Sequence, residues 1–131
     1  MSHVVISSFE NVDTGDLQSE GEAIAVFGSE TSARAHFASR SGAIKAAVDV
    51  ARASDAQATF ITWLVLLKMP LEIGNVEEAL EDLELVIEET GTIDDPFGEL
   101  VVAYEGFRYG PDGAVDYAQA DALRGLEAWL T

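Results

Sequence analysis

The chain has 131 residues, 24 Asp and Glu against 7 Lys and Arg, a net charge of −17 and 48% hydrophobic residues. That apolar content separates it from acidic disordered tails, and the length is that of a single domain, 1–131. The absence of cysteine excludes disulfides, thiolate chemistry and Cys-ligated metals, and the charge argues against direct binding of nucleic acid or anionic lipid.

His3–Val12 is β-branched at its start and runs into the turn-forming residues Asn11–Gly15; Glu22–Gly28 alternates loosely and ends at a glycine. Both are predicted strands, paired as a hairpin. Met1–Glu10 contains no Lys or Arg, so a secretory leader is not expected.

From Thr31 the period becomes helical. Ser29 or Thr31 can cap, and Phe37, Ile44, Val48 and Ala51 share one face, with Ser39, Ser41 and Gly42 as a point where the helix could divide in two. Ser54 and Gln57 then fit a capping box ahead of Phe60–Met69 (FITWLVLLKM), which Pro70 ends. This run is apolar around nearly its whole circumference and is predicted to be a central buried helix, with a strand as the second choice on its β-branched and aromatic content. It is too short for the ~20 apolar residues of a bilayer span.

Asn75–Thr90 carries the strongest helix signals. Asn75 is an N-cap, Glu78 occupies the capping-box position and Gly91 suits a C-terminus. Val76, Ala79, Leu80, Leu83, Val86 and Ile87 make an apolar stripe, with Val76, Leu80, Leu83 and Ile87 expected to be buried. Asp95–Pro96 repeats the start signal, and Phe97, Leu100, Val101, Tyr104 and Phe107 keep helical spacing; the alternative is a hairpin over Tyr104–Tyr117 around Gly110-Pro111-Asp112-Gly113. Asp116–Leu130 is predicted as a closing helix. The fold expected is α+β and helix-dominated, an N-terminal strand pair packed with four to five helices, with an all-α bundle as the alternative.

Trp63, Gly74, Val76, Ala79, Leu83 and Val86 resemble the spacing of a tetratricopeptide helical hairpin over Phe60–Thr92. Such repeats act in stacked arrays and no second copy follows in register, so the segment is read as an ordinary helical hairpin and peptide binding is not carried over.

Few residues suggest chemistry. His3 and His36 are the only histidines, with no spacing for helical zinc or di-iron sites, and His36 is expected to face solvent. Glycine-rich phosphate loops are absent, and Asp112, Asp116 and Asp121 do not form a calcium loop because its twelfth position is Leu123. Asp94–Asp95 is accounted for by a helix cap. No cofactor, metal or catalytic residue is expected.

Charge is unevenly spread. Residues 1–30 hold six acids and no base, 31–70 five bases against two acids, and 71–131 sixteen acids against two bases. The helix over 75–90 concentrates Glu77, Glu78, Glu81, Asp82, Glu84, Glu88 and Glu89, with Leu85 among them opposite Val76. These eight residues are the candidate partner-binding face. The competing accounts are a solvated surface in a salt-adapted protein, a phosphate-mimicking face that occupies a nucleic-acid-binding protein, and pairing with the basic 31–53 segment within the chain or in a homodimer. The functional expectation is a cytoplasmic, non-enzymatic inhibitor or immunity-type module for a basic protein partner. The alternatives are a salt-adapted helical scaffold or oligomerising accessory protein, and a small carboxylate-dependent enzyme.

Overall fold

In the computed structural model, residues 1–18, 23–90 and 100–116 are described, with backbone alone for 86–90 and 116. The elements are β1 (Ser2–Asn11), β2 (Ala23–Phe27), α1 (Glu30–Ser54), β3 (Phe60–Met69), α2 (Val76–Thr90), β4 (Val101–Gly110) and β5 (Gly113–Asp116). The strands form a five-stranded sheet in the order β2-β1-β3-β4-β5, every neighbouring pair antiparallel. This overturns both the helix-dominated expectation of four to five helices and the all-α alternative: two helices are found among the described residues, one on each face of the sheet.

Strand alternation shows the layering. Val5 and Phe9 of β1 and Phe60, Leu64 and Leu66 of β3 pack with Ala33, Ile44 and Val48 of α1. Their neighbours Val4, Ile6, Trp63, Val65, Leu67 and Met69 pack with Ala79 and Leu83 of α2. The order is therefore helix, sheet, helix, with β1 and β3 at the centre.

That sandwich explains the largest correction. Phe60–Met69 is the middle strand, not a buried helix. A strand covered on both faces has no polar side, so it loses the alternation that identifies strands and reads as a continuous apolar run. Its Ile61, Thr62, Val65, Phe60 and Trp63 are the residue types that suit a pleated surface. With Trp63 on a strand, the likeness to a tetratricopeptide hairpin fails. Ser54 is the last residue of α1 and caps no following helix.

A different cause disguised β4. Its register against β3 shifts between Leu66 and Leu67, which pair with Ala103 and Val101. Val102 is the extra residue of this bulge. Val101 and Tyr104, three apart, consequently lie against the α2-side core, while Val102 and Ala103 lie against the α1-side core. Spacing of three mimics a helix, and the helix expected through Phe107 is instead strand from Val101. The hairpin alternative is what forms: Gly110 pairs with Gly113 across Pro111–Asp112, and Gly113 has φ +107°, open to glycine at no steric cost. The Asp116–Leu130 helix falls outside the described residues except at Asp116, which ends β5. Phe97 also lies outside them.

Other expectations hold. β1 and β2 pair as a hairpin, from His3 opposite Phe27 to Ser7 opposite Ala23. Ser29 caps α1, its Oγ accepting from the Ser32 N–H at 3.1 Å. The division considered at Ser39, Ser41 and Gly42 is not found: α1 is continuous over 25 residues. No helix among the described residues is long and apolar enough to cross a membrane.

Candidate functional site

α2 starts where the sequence places it. Asn75 Oδ1 accepts from the Glu78 N–H at 2.9 Å, and Glu78 Oε2 accepts from the Gly74 N–H at 3.0 Å. This is a reciprocal cap with the return bond displaced one residue upstream. The buried stripe is rotated from the expected one. Ala79 and Leu83 are fully buried, Leu80 is half-buried and Val76 is 39% exposed. Val76 is the first residue of α2 and takes no part in the core cluster that holds Ala79 and Leu83, although it lies on their side of the helix. The side chains of Val86 and Ile87 lie outside the described residues.

Rotation of the stripe sets the opposite face. At ~100° per residue, the direction away from Ala79 and Leu83 passes through Glu81. Glu77, Glu78, Glu81 and Glu84 are exposed and Asp82 is half-buried. Leu85 stands among them, 54% exposed, one helical turn from Glu81 and Asp82. Glu88 and Glu89 continue the helix, their side chains outside the described residues. Glu77 and Glu78 in the first turn are favoured by the helix dipole, whereas the last turn has no base to balance its end. The Glu77, Glu81 and Glu84 row adds repulsion of ~0.2–0.5 kcal/mol per pair.

The structure also separates this face from the basic segment. α1 and α2 lie on opposite faces of the sheet, so pairing of the acidic helix with residues 31–53 within one chain does not occur.

A second polar grouping, missed in the sequence, lies between α1 and β4. Ser41, buried, donates from Oγ to Glu105 Oε2 at 2.5 Å. With Lys45, Thr62 and Tyr109 these residues line a recess of about 10 Å³, room for one water and no substrate. Burial, with the Asp49 and Glu105 carboxylates, pushes the Tyr109 phenol above its usual range. Arg52 lies 5.9 Å from the Tyr109 ring and donates to the Gly110 carbonyl at 3.0 Å. The available signals were a glutamate inside VVAYEGF and a serine three residues before Ile44 on the buried face, both weak alone. The grouping fastens α1 to the sheet.

The histidines join neither grouping. His3 is buried on β1 with Nε2 3.8 Å from Glu30 Oε1, and among the described residues neither ring nitrogen has a hydrogen-bond partner. His36, expected in solvent, is half-buried with its ring 5.0 Å from that of Phe27; burial and then Arg40 lower its pKa. Among the described residues no three His, Asp or Glu side chains are grouped to hold a metal ion. No family model, curated protein or solved structure matches the chain.

Proposed function

We propose that this chain is a non-enzymatic binding module of the cytoplasm, an inhibitor or immunity-type protein that occupies a basic, nucleic-acid-binding surface of a partner protein with the outer face of α2. One observation carries the reading: Leu85 is 54% exposed within a field of carboxylates on the side of α2 turned away from the core. An apolar anchor ringed by charge suits protein recognition, the leucine supplying contact area and the acids steering and register. The acids space negative charge along a rigid rod, as a run of phosphates does.

The test begins with capture of binding proteins by the immobilised chain, with Leu85→Ala as the control bait. A basic nucleic-acid-binding protein retained by the parent chain is then titrated against both forms. Leu85→Ala is expected to raise the dissociation constant at least tenfold, about 1.4 kcal/mol. Glu81→Lys is expected mainly to slow association and flatten its salt dependence. Equal affinity of parent and Leu85→Ala overturns the assignment of this face. Competition between the chain and nucleic acid for the partner tests the mimicry.

A further inference from the structure

One buried ring on the sheet lacks the partners that burial demands. His3 shares a face of β1 with Val5, the face covered by α1. Its side chain is 8% exposed, and among the described residues neither Nδ1 nor Nε2 has a hydrogen-bond partner. A neutral imidazole carries one N–H donor and one acceptor. Buried polar atoms are normally paired, so two orphans on one ring need a physical reason.

The nearest charge supplies it. Nε2 stands 3.8 Å from Oε1 of Glu30, the first residue of α1. That is too long for a hydrogen bond and close for two charges. Oε2 of the same carboxylate accepts from Arg34 Nε at 3.2 Å, which steadies Glu30 beside the ring and leaves Oε1 for His3. The other neighbours are Phe27 of β2 and Lys68 of β3, which stand opposite His3 in register, Lys68 exposed. On β1 itself the Met1 amino group is taken by Glu72, and His36 of α1 packs on Phe27. Among the described residues, Glu30 is the only acid within ion-pairing distance of the imidazole.

We infer that His3 and Glu30 form a proton-operated latch between β1 and the first turn of α1. Imidazole is the side chain whose charge changes between about pH 5 and 8. Neutral, His3 makes no bond to α1. Protonated, it draws Oε1 from 3.8 Å to hydrogen-bond distance, and one carboxylate then bridges His3 on the sheet to Arg34 on the helix. Burial and the Lys68 ammonium work against the added charge, so the proton is held only while the carboxylate is in place. Proton uptake and docking of the turn are therefore linked, and the latch tightens as the pH falls. His36 acts in the opposite sense, because its lowered pKa makes protonation work against the fold.

Amide hydrogen exchange followed by NMR reads the latch. The Ser32 N–H donates to Ser29 Oγ and the Ala33 N–H to the Ser29 carbonyl, so their protection factors, corrected for the intrinsic pH dependence of exchange, follow opening of this turn. From about pH 8 to about pH 5.5 they are expected to rise roughly fivefold in the parent chain relative to amides in the middle of β3. In His3→Gln and in Glu30→Gln they are expected to stay level. Glu30→Gln replaces a half-exposed side chain, so the test does not depend on whether His3→Gln folds. His36→Gln is expected to retain the rise. Protection that does not change with pH in the parent chain, a rise that survives in Glu30→Gln, or one that is lost in His36→Gln overturns the proposal.

Discussion

Leu83 and Leu85 stand two residues apart on α2 and should respond oppositely to the same truncation. Leu83 is fully buried in the core that includes Val4, Val65 and Leu67, while Leu85 is 54% exposed. Leu→Ala in a core costs ~2–5 kcal/mol, with the larger values where the surroundings cannot close on the cavity. The cluster around Leu83 is built on β1 and β3 side chains, Val4, Ile6, Val65 and Leu67, and hydrogen-bonded strands resist such closure, so Leu83→Ala is expected near ~3–4 kcal/mol. For a chain between the small and large size classes, ~1 kcal/mol corresponds to roughly 3–4 °C, giving a fall of roughly 9–16 °C in Tm. Leu85→Ala removes a side chain already half in water and should stay within ~0.5 kcal/mol. Urea titration reads both, provided the m-value is unchanged. A loss below ~0.5 kcal/mol for Leu83→Ala, or equal losses at the two positions, would show that the wrong face of α2 has been placed inside.

Hydrogen exchange should find the slowest amides in the middle of β3, between Thr62 and Leu67, because β3 is hydrogen-bonded on both sides and covered on both faces; faster exchange there than in β2 would contradict the central placement. Tm should rise with sodium chloride to a few hundred mM, since screening relieves the self-repulsion of a −17 chain while exposed pairs such as Glu30–Arg34 add little; a steady fall would mean that attractive pairs dominate. The lowered pKa of His36 means that the unfolded chain binds the proton more readily. Its contribution is complete above pH ~6.5 and declines as the pH falls toward the folded value, and His36→Gln should remove that part of the acid dependence in a pH series of urea titrations. Ser41→Ala deprives Glu105 of its 2.5 Å donor and should cost ~1–2 kcal/mol by urea titration, the lower part of the range for a charged partner because Glu105 is half-exposed; no change would show that water replaces the hydroxyl freely.

Local chemistry was enough for features whose physics is local. Ser29 caps α1 and Asn75 caps α2 because a side-chain oxygen three residues upstream reaches a free N–H whatever the rest of the chain does. The β1–β2 hairpin and the Gly110–Gly113 turn were legible for the same reason, through β-branched runs and turn residues. The acidic outer face of α2 followed from its periodicity, and Leu85 emerged exposed within it. What the sequence left open depends on distant neighbours. Phe60–Met69 is a strand because β1 and β4 supply hydrogen bonds from opposite sides, the pairs with β1 running from Asn11↔Phe60 to Ser2↔Met69, a separation that no window on the run contains. Its apolar character reports burial on two faces and is silent about backbone. Val101 and Tyr104 share a face only because Val102 bulges out of register with β3, and Glu105 acquires meaning only when α1 brings Ser41 to it from 64 positions earlier. The separation of the basic and acidic helices is likewise tertiary. Composition counted both charges, but the sheet between them decided that they cannot neutralise each other within one chain.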